Sequence, residues 1–323
     1  MKLNSSLILY TSTLIIGVIM CICSNNLVMM WCGLEISLMS FLPLMISNNF
    51  LSSECMMKYF IIQSTSSSLL MMGFIMLMMN VNLNKMIILM SLLLKIGLAP
   101  FHNWVLNVIE SLTFLTLFLF LTIMKIAPLT VMMYMNQIML FPSILSLIVG
   151  AIMGLNQNSF HKILGYSSIF NMGLLCSCIQ EMQIWLTYFI IYSIMLIFVI
   201  YVLNKLNIIY INQIMIHQYD LKIKMSLWIT LLSLGGMPPM IGFLSKLLVF
   251  EYLMLTNHFI ILTVTIITSL LVMFYYMRSA YMSLMISSMM LKWNLTLINN
   301  LSLTLVFMNL LLLSLLIFLK SFL

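Results

Sequence analysis

From its first residues to its last, the chain is a succession of apolar runs, each about as long as a bilayer is thick, separated by short polar connectors. A hydrocarbon core about 30 Å thick takes roughly 20 helical residues to cross, and backbone inside it has to satisfy its own N–H and C=O groups. The spacing therefore predicts membrane-spanning helices. Polar punctuation marks eleven segments, near 4–23, 27–46, 55–79, 84–109, 111–135, 141–156, 160–180, 182–203, 224–255, 259–281 and 301–320. With 64% apolar and 6% charged residues, and a mean hydropathy of +1.20, the composition leaves no stretch for a soluble domain. The expectation is an all-α polytopic membrane protein of about eleven transmembrane helices, with residues 1–323 forming a single transmembrane domain.

Basic residues test that count. With the N-terminus on one side, that side receives Lys2, Lys58, Lys162, Lys205, Lys222, Lys224, Arg278 and Lys292, and the opposite side receives Lys85 and Lys320. A missed or invented span in the middle would blur this asymmetry. Lysine and arginine favour the cytoplasmic or matrix side, which places the N-terminus there and the C-terminus opposite. The largest connector, 204–224, lies on the same side. The net charge of +7 is spread over these loops without a dense basic patch, which argues against nucleic acid as a partner. The first run follows Lys2 as a secretory signal would, but it is long and lacks a small-residue cleavage site, so it reads as a retained helix.

Two segments are longer than one span needs and carry breakers. The fourth holds Gly97 and Pro100; the ninth holds Gly235, Gly236, Pro238 and Pro239. Both are expected to be discontinuous helices, which are tolerated at membrane depth only inside protein or beside water. Two broken helices hint at an inverted repeat of the transporter kind, although lysine and proline follow in a different order in each.

Three basic residues remain once the loops are counted. Lys95, Lys125 and Lys246 each lie ten or eleven residues from a polar edge, about 15–16 Å along a helix. Glu35 lies at similar depth, about 14 Å from Asn26 and about 18 Å from Ser47. A charge there costs at least about 2.5–3.5 kcal/mol, so four of them require partners, water or neutralisation. Burial disfavours the charged lysine and a nearby carboxylate favours it, so a lysine held between the two influences can be loaded and unloaded with a proton. Groups in communication titrate as a coupled set. Structural pairing between helices is the plainer alternative. Snorkelling to the surface fails at this depth, and one polar residue would suffice as glue.

Other residues give weaker signals. Lys58 could extend a proton path or simply snorkel. His161 and Lys162, at the start of the seventh span, read first as topology determinants. His102, just after the first break, could relay protons or cap a free carbonyl. Glu110 and Glu181 sit at span ends, and Glu251, five residues beyond Lys246, could serve an exit. The six cysteines lack metal-ligand spacing and read as buried thiols. Four histidines on separate segments give no haem pair, and no dinucleotide or carboxylate-rich metal motif is present, so no cofactor is expected on this chain.

Several stretches carry a resemblance: WCGLEISLMSFLPL (31–44), KYFIIQS (58–64), LLLKIGLAPFHNWV (92–105), TIMKIAPL (122–129), HKILGYSSIFNMG (161–173) and GGMPPMIGFLSK (235–246). In order and over most of the chain, they resemble the antiporter-like, proton-pumping subunits of respiratory complex I, mitochondrial NADH:ubiquinone oxidoreductase, in the chain 2 form found in animals, insects among them. The 36 methionines resemble animal mitochondrial coding. The resemblance implies an antiporter-like fold in the mitochondrial inner membrane, with other membrane subunits of complex I, neighbouring antiporter-like subunits and lipids as partners. It implies that NADH, FMN, iron-sulfur clusters and ubiquinone belong to other subunits. It makes Glu35 and Lys95 the family's carboxylate and lysine pair, Lys125 the connecting lysine and Lys246 the terminal one. Where the family pattern carries an arginine before Lys162 this chain has His161, and Asn171 stands where relatives often have histidine, so water or Tyr166 would have to replace that group. A cation/proton antiporter outside complex I and a purely structural scaffold remain alternatives.

Overall fold

The computed structural model describes residues 5–47, 50–79, 84–134, 139–216 and 221–285. They form α1 (Ser5–Cys23), α2 (Leu27–Met45), α3 (Phe50–Met78), α4 (Asn84–Ile96), α5 (Asn103–Ser111), α6 (Phe114–Leu121), α7 (Ile123–Tyr134), α8 (Leu140–Gly154), α9 (Phe160–Ser177), α10 (Met182–Leu206), α11 (Ile211–Ile216), α12 (Leu221–Gly235), α13 (Ile241–Leu255) and α14 (Phe259–Met285). Among the described residues there is no strand, and Ser159 and Tyr210 form an isolated bridge. The first ten expected segments all carry helix. The eleventh, 301–320, lies outside the described residues. Among the described residues, six stretches are long and apolar enough to cross a membrane: Ser5–Cys23, Leu27–Met45, Phe50–Met78, Phe114–Met133, Met182–Leu206 and Phe259–Tyr281.

Both expected breaks are present. The fourth segment is α4 and α5, interrupted between Ile96 and Asn103; the ninth is α12 and α13, interrupted between Gly235 and Ile241. Two departures from the sequence reading have local causes. The fifth segment is interrupted at Thr122, whose hydroxyl donates back to Phe118 O at 2.7 Å and whose backbone leaves the helical region. The long connector carries the short helix α11, which a hydropathy reading passes over because it spans no membrane.

The surface is apolar and the interior carries the hydroxyls, the arrangement that a lipid solvent selects. Ile8, Ile16 and Ile19 on α1 and Ile267, Leu270 and Phe274 on α14 are exposed, whereas Ser66, Ser91, Ser146, Ser167 and Ser168 are buried. These serines donate to their own helix, as Ser66 does to Gln63 O at 2.7 Å and Ser168 to Gly165 O at 2.7 Å. Small side chains satisfied this way let helices approach closely without stranding a polar atom.

The chain divides into two compact units, Met1–Ser146 and Leu147–Leu323. In the first, α1 and α2 pack backbone to backbone: a Cβ on Gly33 would meet Gly17 O at 2.7 Å, and one on Gly17 would meet Ser37 N at 2.8 Å. Helix α7 lies beside α1, α2 and α4, and the Trp31 indole donates to Ser67 O at 3.2 Å to tie α2 to α3. In the second unit α9 is buried along nearly its whole length, and α10, α12, α13 and α14 pack against one another. Phe160 N donates to Ile209 O at 2.8 Å, Ile211 N to Asn158 O at 3.0 Å and Arg278 Nη2 to Gln157 O at 2.6 Å. These bonds gather the connectors 155–159 and 207–210 and the later part of α14 on one side of that unit, as alternating spans require.

Gly33→Val is expected to destabilise the α1–α2 contact by about 1–3 kcal/mol, because the backbones leave no room for the added methyls. Thermal unfolding of the chain in its native assembly measures this. Met39→Leu, on the exposed face of α2, is the silent control; equal behaviour of the two variants would contradict the packing described.

Candidate functional site

Lys95 sits in the last turn of α4, at the first break. The break follows from Gly97, whose φ of 75° is open to glycine and strained for other residues. Gly97 N and Leu98 N both donate to Leu93 O, at 2.9 and 3.1 Å, closing the helix in a left-handed C-terminal turn. A side chain on Gly97 would run into Val105 of the next helix segment. Lys95 O lies in the carbonyl end freed by the break and accepts from Gln63 Nε2 at 3.1 Å. The lysine thus occupies a helix C-terminus, whose dipole favours a cation.

The Lys95 side chain is buried, as is that of Lys125 on the first turn of α7. Both line one cavity, together with Ser37, Tyr59, Gln63 and Trp104. The room it offers to the centre of a water molecule is about 20 Å³, and about 10–15 Å³ holds one water. Its wall is partly aromatic: Tyr59, Trp104 and Phe120 line it, and with Phe41 behind them the rings pack at centroid separations of 5.5 to 6.2 Å. The Trp104 indole N–H is buried without a hydrogen-bond partner among the described residues. Pro128, also on the cavity, lacks an N–H, so the carbonyl one turn earlier in α7 loses its helical donor close to Lys125.

Glu35, on α2, lies within coulombic reach of Lys95 without closing to an ion pair. Its Oε1 is buried and has no hydrogen-bond partner among the described residues. The structure therefore brings Glu35, Lys95 and Lys125 into one neighbourhood in the first unit. A cavity that accepts water between two lysines, with a carboxylate close by, can pass protons from one amine to the next while the carboxylate biases where they rest.

Lys246 belongs to the second unit. Gly236, with φ 76°, ends α12 as Gly97 ends α4: Gly236 N donates to Ser233 O at 3.1 Å and Met237 N to Leu232 O at 3.2 Å. Lys246 reaches back from α13, its Nζ donating to the freed Gly235 O at 2.7 Å and lying 5.5 Å from the centroid of the Phe170 ring. A helix C-terminus and an aromatic face are both electronegative surfaces that can receive an amine hydrogen. Gly242 allows α13 to approach Ser233 O, where a side chain would collide.

The other candidates stand elsewhere. Lys58 pairs with Glu54 at 2.6 Å on the half-exposed face of α3 and does not line the cavity. His102 lies in the first break, its Nδ1 3.2 Å from Pro100 O, which fits the carbonyl-capping role. His161 is buried at the start of α9 and Lys162 beside it is half-buried; Glu251 is exposed on α13. Sequence reasoning passed over Gln63, Tyr59 and Trp104. Gln63 in the middle of an apolar span was the available signal, since a buried amide requires partners.

Residues 24–86 and 77–272 match the model of a family described as NADH:quinone oxidoreductase/Mrp antiporter, transmembrane. The chain is 38% identical over 294 residues to NADH-ubiquinone oxidoreductase chain 2 of Anopheles gambiae, covering 87% of this chain and 86% of that one. It is 36% identical over 292 residues to the protein of the same name from Locusta migratoria, covering 86% and 85%. In fold it is similar to a chain in the structure of respiratory complex I from Thermus thermophilus with bound aureothin, with a TM-score of 0.79 at 20% identity over 87% of this chain and 71% of that one.

The second break yields a paired expectation. Gly236→Ala should cost about 1–2 kcal/mol from its left-handed backbone, and its Cβ would meet Lys246 Nζ at 2.9 Å. Gly235→Ala should be nearly silent, because a Cβ there meets Tyr276 and Met273 at ordinary distances of 3.5 and 3.6 Å. Thermal unfolding of the two variants side by side reads the difference; equal stability would contradict the role given to Gly236.

Proposed function

We propose a mechanism from the premise that this chain belongs to the NADH:quinone oxidoreductase/Mrp antiporter family of membrane proteins and is a membrane subunit of the H+-translocating NADH:ubiquinone oxidoreductase of the respiratory chain. Its partners are the other membrane subunits of that complex. Within it, Lys95, Lys125 and Lys246 carry protons and Glu35 governs the first of them. Electrons pass through NADH, FMN, iron-sulfur clusters and ubiquinone on other subunits, and this chain, a single membrane domain, binds none of these groups. Its membrane is the mitochondrial inner membrane, with the N-terminus in the matrix and the C-terminus facing the intermembrane space, a reading supported by the asymmetry of basic residues.

The observation that carries the reading is the cavity shared by Lys95 and Lys125. While Glu35 is ionised, its field holds the proton on Lys95. A change transmitted from the redox subunits that weakens this field lets Lys95 release its proton to water in the cavity. Lys125 then takes it up and passes it on to Lys246, which ends the sequence. Moving one proton against 100 mV requires about 2.3 kcal/mol. The remote redox reaction supplies it, since none of these residues stores energy by itself. The antiporter alternative uses the same lysines; ion exchange by the isolated chain in liposomes would favour it over a complex I subunit.

Removing a positioned proton carrier costs on the order of 10²-fold in transfer rate. Lys95→Met and Lys125→Met are each expected to assemble normally and to abolish most NADH-driven proton translocation. Lys95→Arg should fail as well, because a guanidinium holds the charge but does not release its proton. Acidification measured in vesicles containing the assembled complex checks this. Normal pumping in Lys95→Met would show that the buried lysine is structural.

A further inference from the structure

A lysine stands at each helix break, and the two breaks treat it differently. At the second, Lys246 Nζ donates to Gly235 O at 2.7 Å, so the ammonium itself satisfies a carbonyl that the break frees. At the first, the freed carbonyl is Lys95 O, and its donor is Gln63 Nε2 on α3, at 3.1 Å. Among the described residues Lys95 Nζ has no hydrogen-bond or ion-pair partner, and the lysine lines the cavity.

Gln63 is a buried primary amide in the middle of a membrane span, a costly choice where an apolar side chain would pack as well. Its surroundings hold it in place. Helix α3 lies tight against α4, where a Cβ on Gly73 would collide with the Ile88 side chain. Tyr59, one turn before Gln63 on the same buried face, packs on Trp104 at 6.0 Å. A lysine near a helix C-terminus can hydrogen-bond the last carbonyls, and a bond from an ammonium is about twice as strong as one from a neutral donor. The carbonyl end of α4 therefore competes for the Lys95 ammonium. With the amide on Lys95 O, the positive end of its N–H dipole already faces the carbonyl, which makes a second, cationic donor there less favourable.

We propose that Gln63 is a positioning residue for Lys95: its amide occupies the carbonyl end of the broken helix α4, so that the Lys95 ammonium stays off that carbonyl and in the cavity it shares with Lys125. The inference rests on the reading of Lys95 as a proton carrier. Gln63 keeps its own protons and exchanges none. The contrast between the breaks follows from it. A lysine kept off the carbonyl can give up its proton to the cavity, whereas Lys246, bound to Gly235 O, has to break a charged hydrogen bond first.

Gln63→Met keeps the length and packing of the side chain and removes the donor. In a structure of the assembled complex carrying it, Lys95 Nζ is expected within hydrogen-bonding distance of a carbonyl in the last turn of α4, Lys95 O first among them. That bond then has to break before each release, so NADH-driven proton translocation per assembled complex should fall about 10- to 100-fold. Thr65→Val, on the exposed face of α3, should change neither. Lys95 Nζ remaining in the cavity of Gln63→Met overturns the proposal. The unmodified complex decides without any variant: Gln63 Nε2 should stay on Lys95 O in every state of turnover, and a state in which Nζ holds that carbonyl overturns the proposal too. Lys95→Met separates this from the reading beneath it. Normal pumping by Lys95→Met removes Lys95 from the proton sequence, whatever Gln63→Met does. Failed pumping by Lys95→Met beside normal pumping by Gln63→Met removes only the role given to Gln63.

Discussion

An ammonium group in the middle of a bilayer has to be compensated, and the fold meets that demand with the ends of interrupted helices. A continuous helix uses all its interior carbonyls, so it has nothing to offer a buried cation. Breaking it frees carbonyls and exposes the negative end of the dipole. Lys95 occupies the last turn of the helix that ends at Gly97, and Lys246 reaches from the following helix to the carbonyl of Gly235. The two units use one device in two ways, each depending on a glycine with φ near 75°. Lys125 stands beside a milder interruption, between Thr122 and Pro128.

The same demand explains why charge can move. A lysine locked in a short ion pair with a carboxylate would hold its proton too firmly to cycle. Glu35 acts on Lys95 without closing to an ion pair, so a modest change in distance or charge at Glu35 alters the balance at Lys95. The aromatic wall of Tyr59, Trp104 and Phe120 keeps the cavity small, and its low polarity makes the field of each charge felt by the next. A shallow, wide-open site would screen these charges from each other.

Much of this was legible in the sequence, for physical reasons. Bilayer thickness sets the length of a span, so the first ten segments could be placed by counting. The breaks announced themselves as Gly97 with Pro100 and as Gly235, Gly236, Pro238 and Pro239 inside runs longer than one span needs. Counting residues from the polar edges singled out Lys95, Lys125 and Lys246, and all three are buried. The interruption at Thr122 was not visible, because a single threonine in an apolar run is ordinary and becomes informative only when its hydroxyl is seen bonding Phe118 O. Nor could spacing reveal which face of α3 carries Gln63 to Lys95 O, or that four tyrosines from α10 and α14 meet. Those facts depend on how helices turn toward one another, which hydropathy does not encode. The resemblance to chain 2 proteins suggested the roles proposed for the lysines, while the structure supplied the cavity that two of them line.

The central claim is that protons cross the first unit through water held between Lys95 and Lys125. A structure of the assembled complex in a lipid environment, at a resolution that orders internal waters, tests it most directly. The account predicts water within hydrogen-bonding distance of both Lys95 Nζ and Lys125 Nζ, in the cavity bounded by Gln63 and Trp104. A dry cavity in every state of the catalytic cycle, with side chains closed over the space between the two amines, would contradict it.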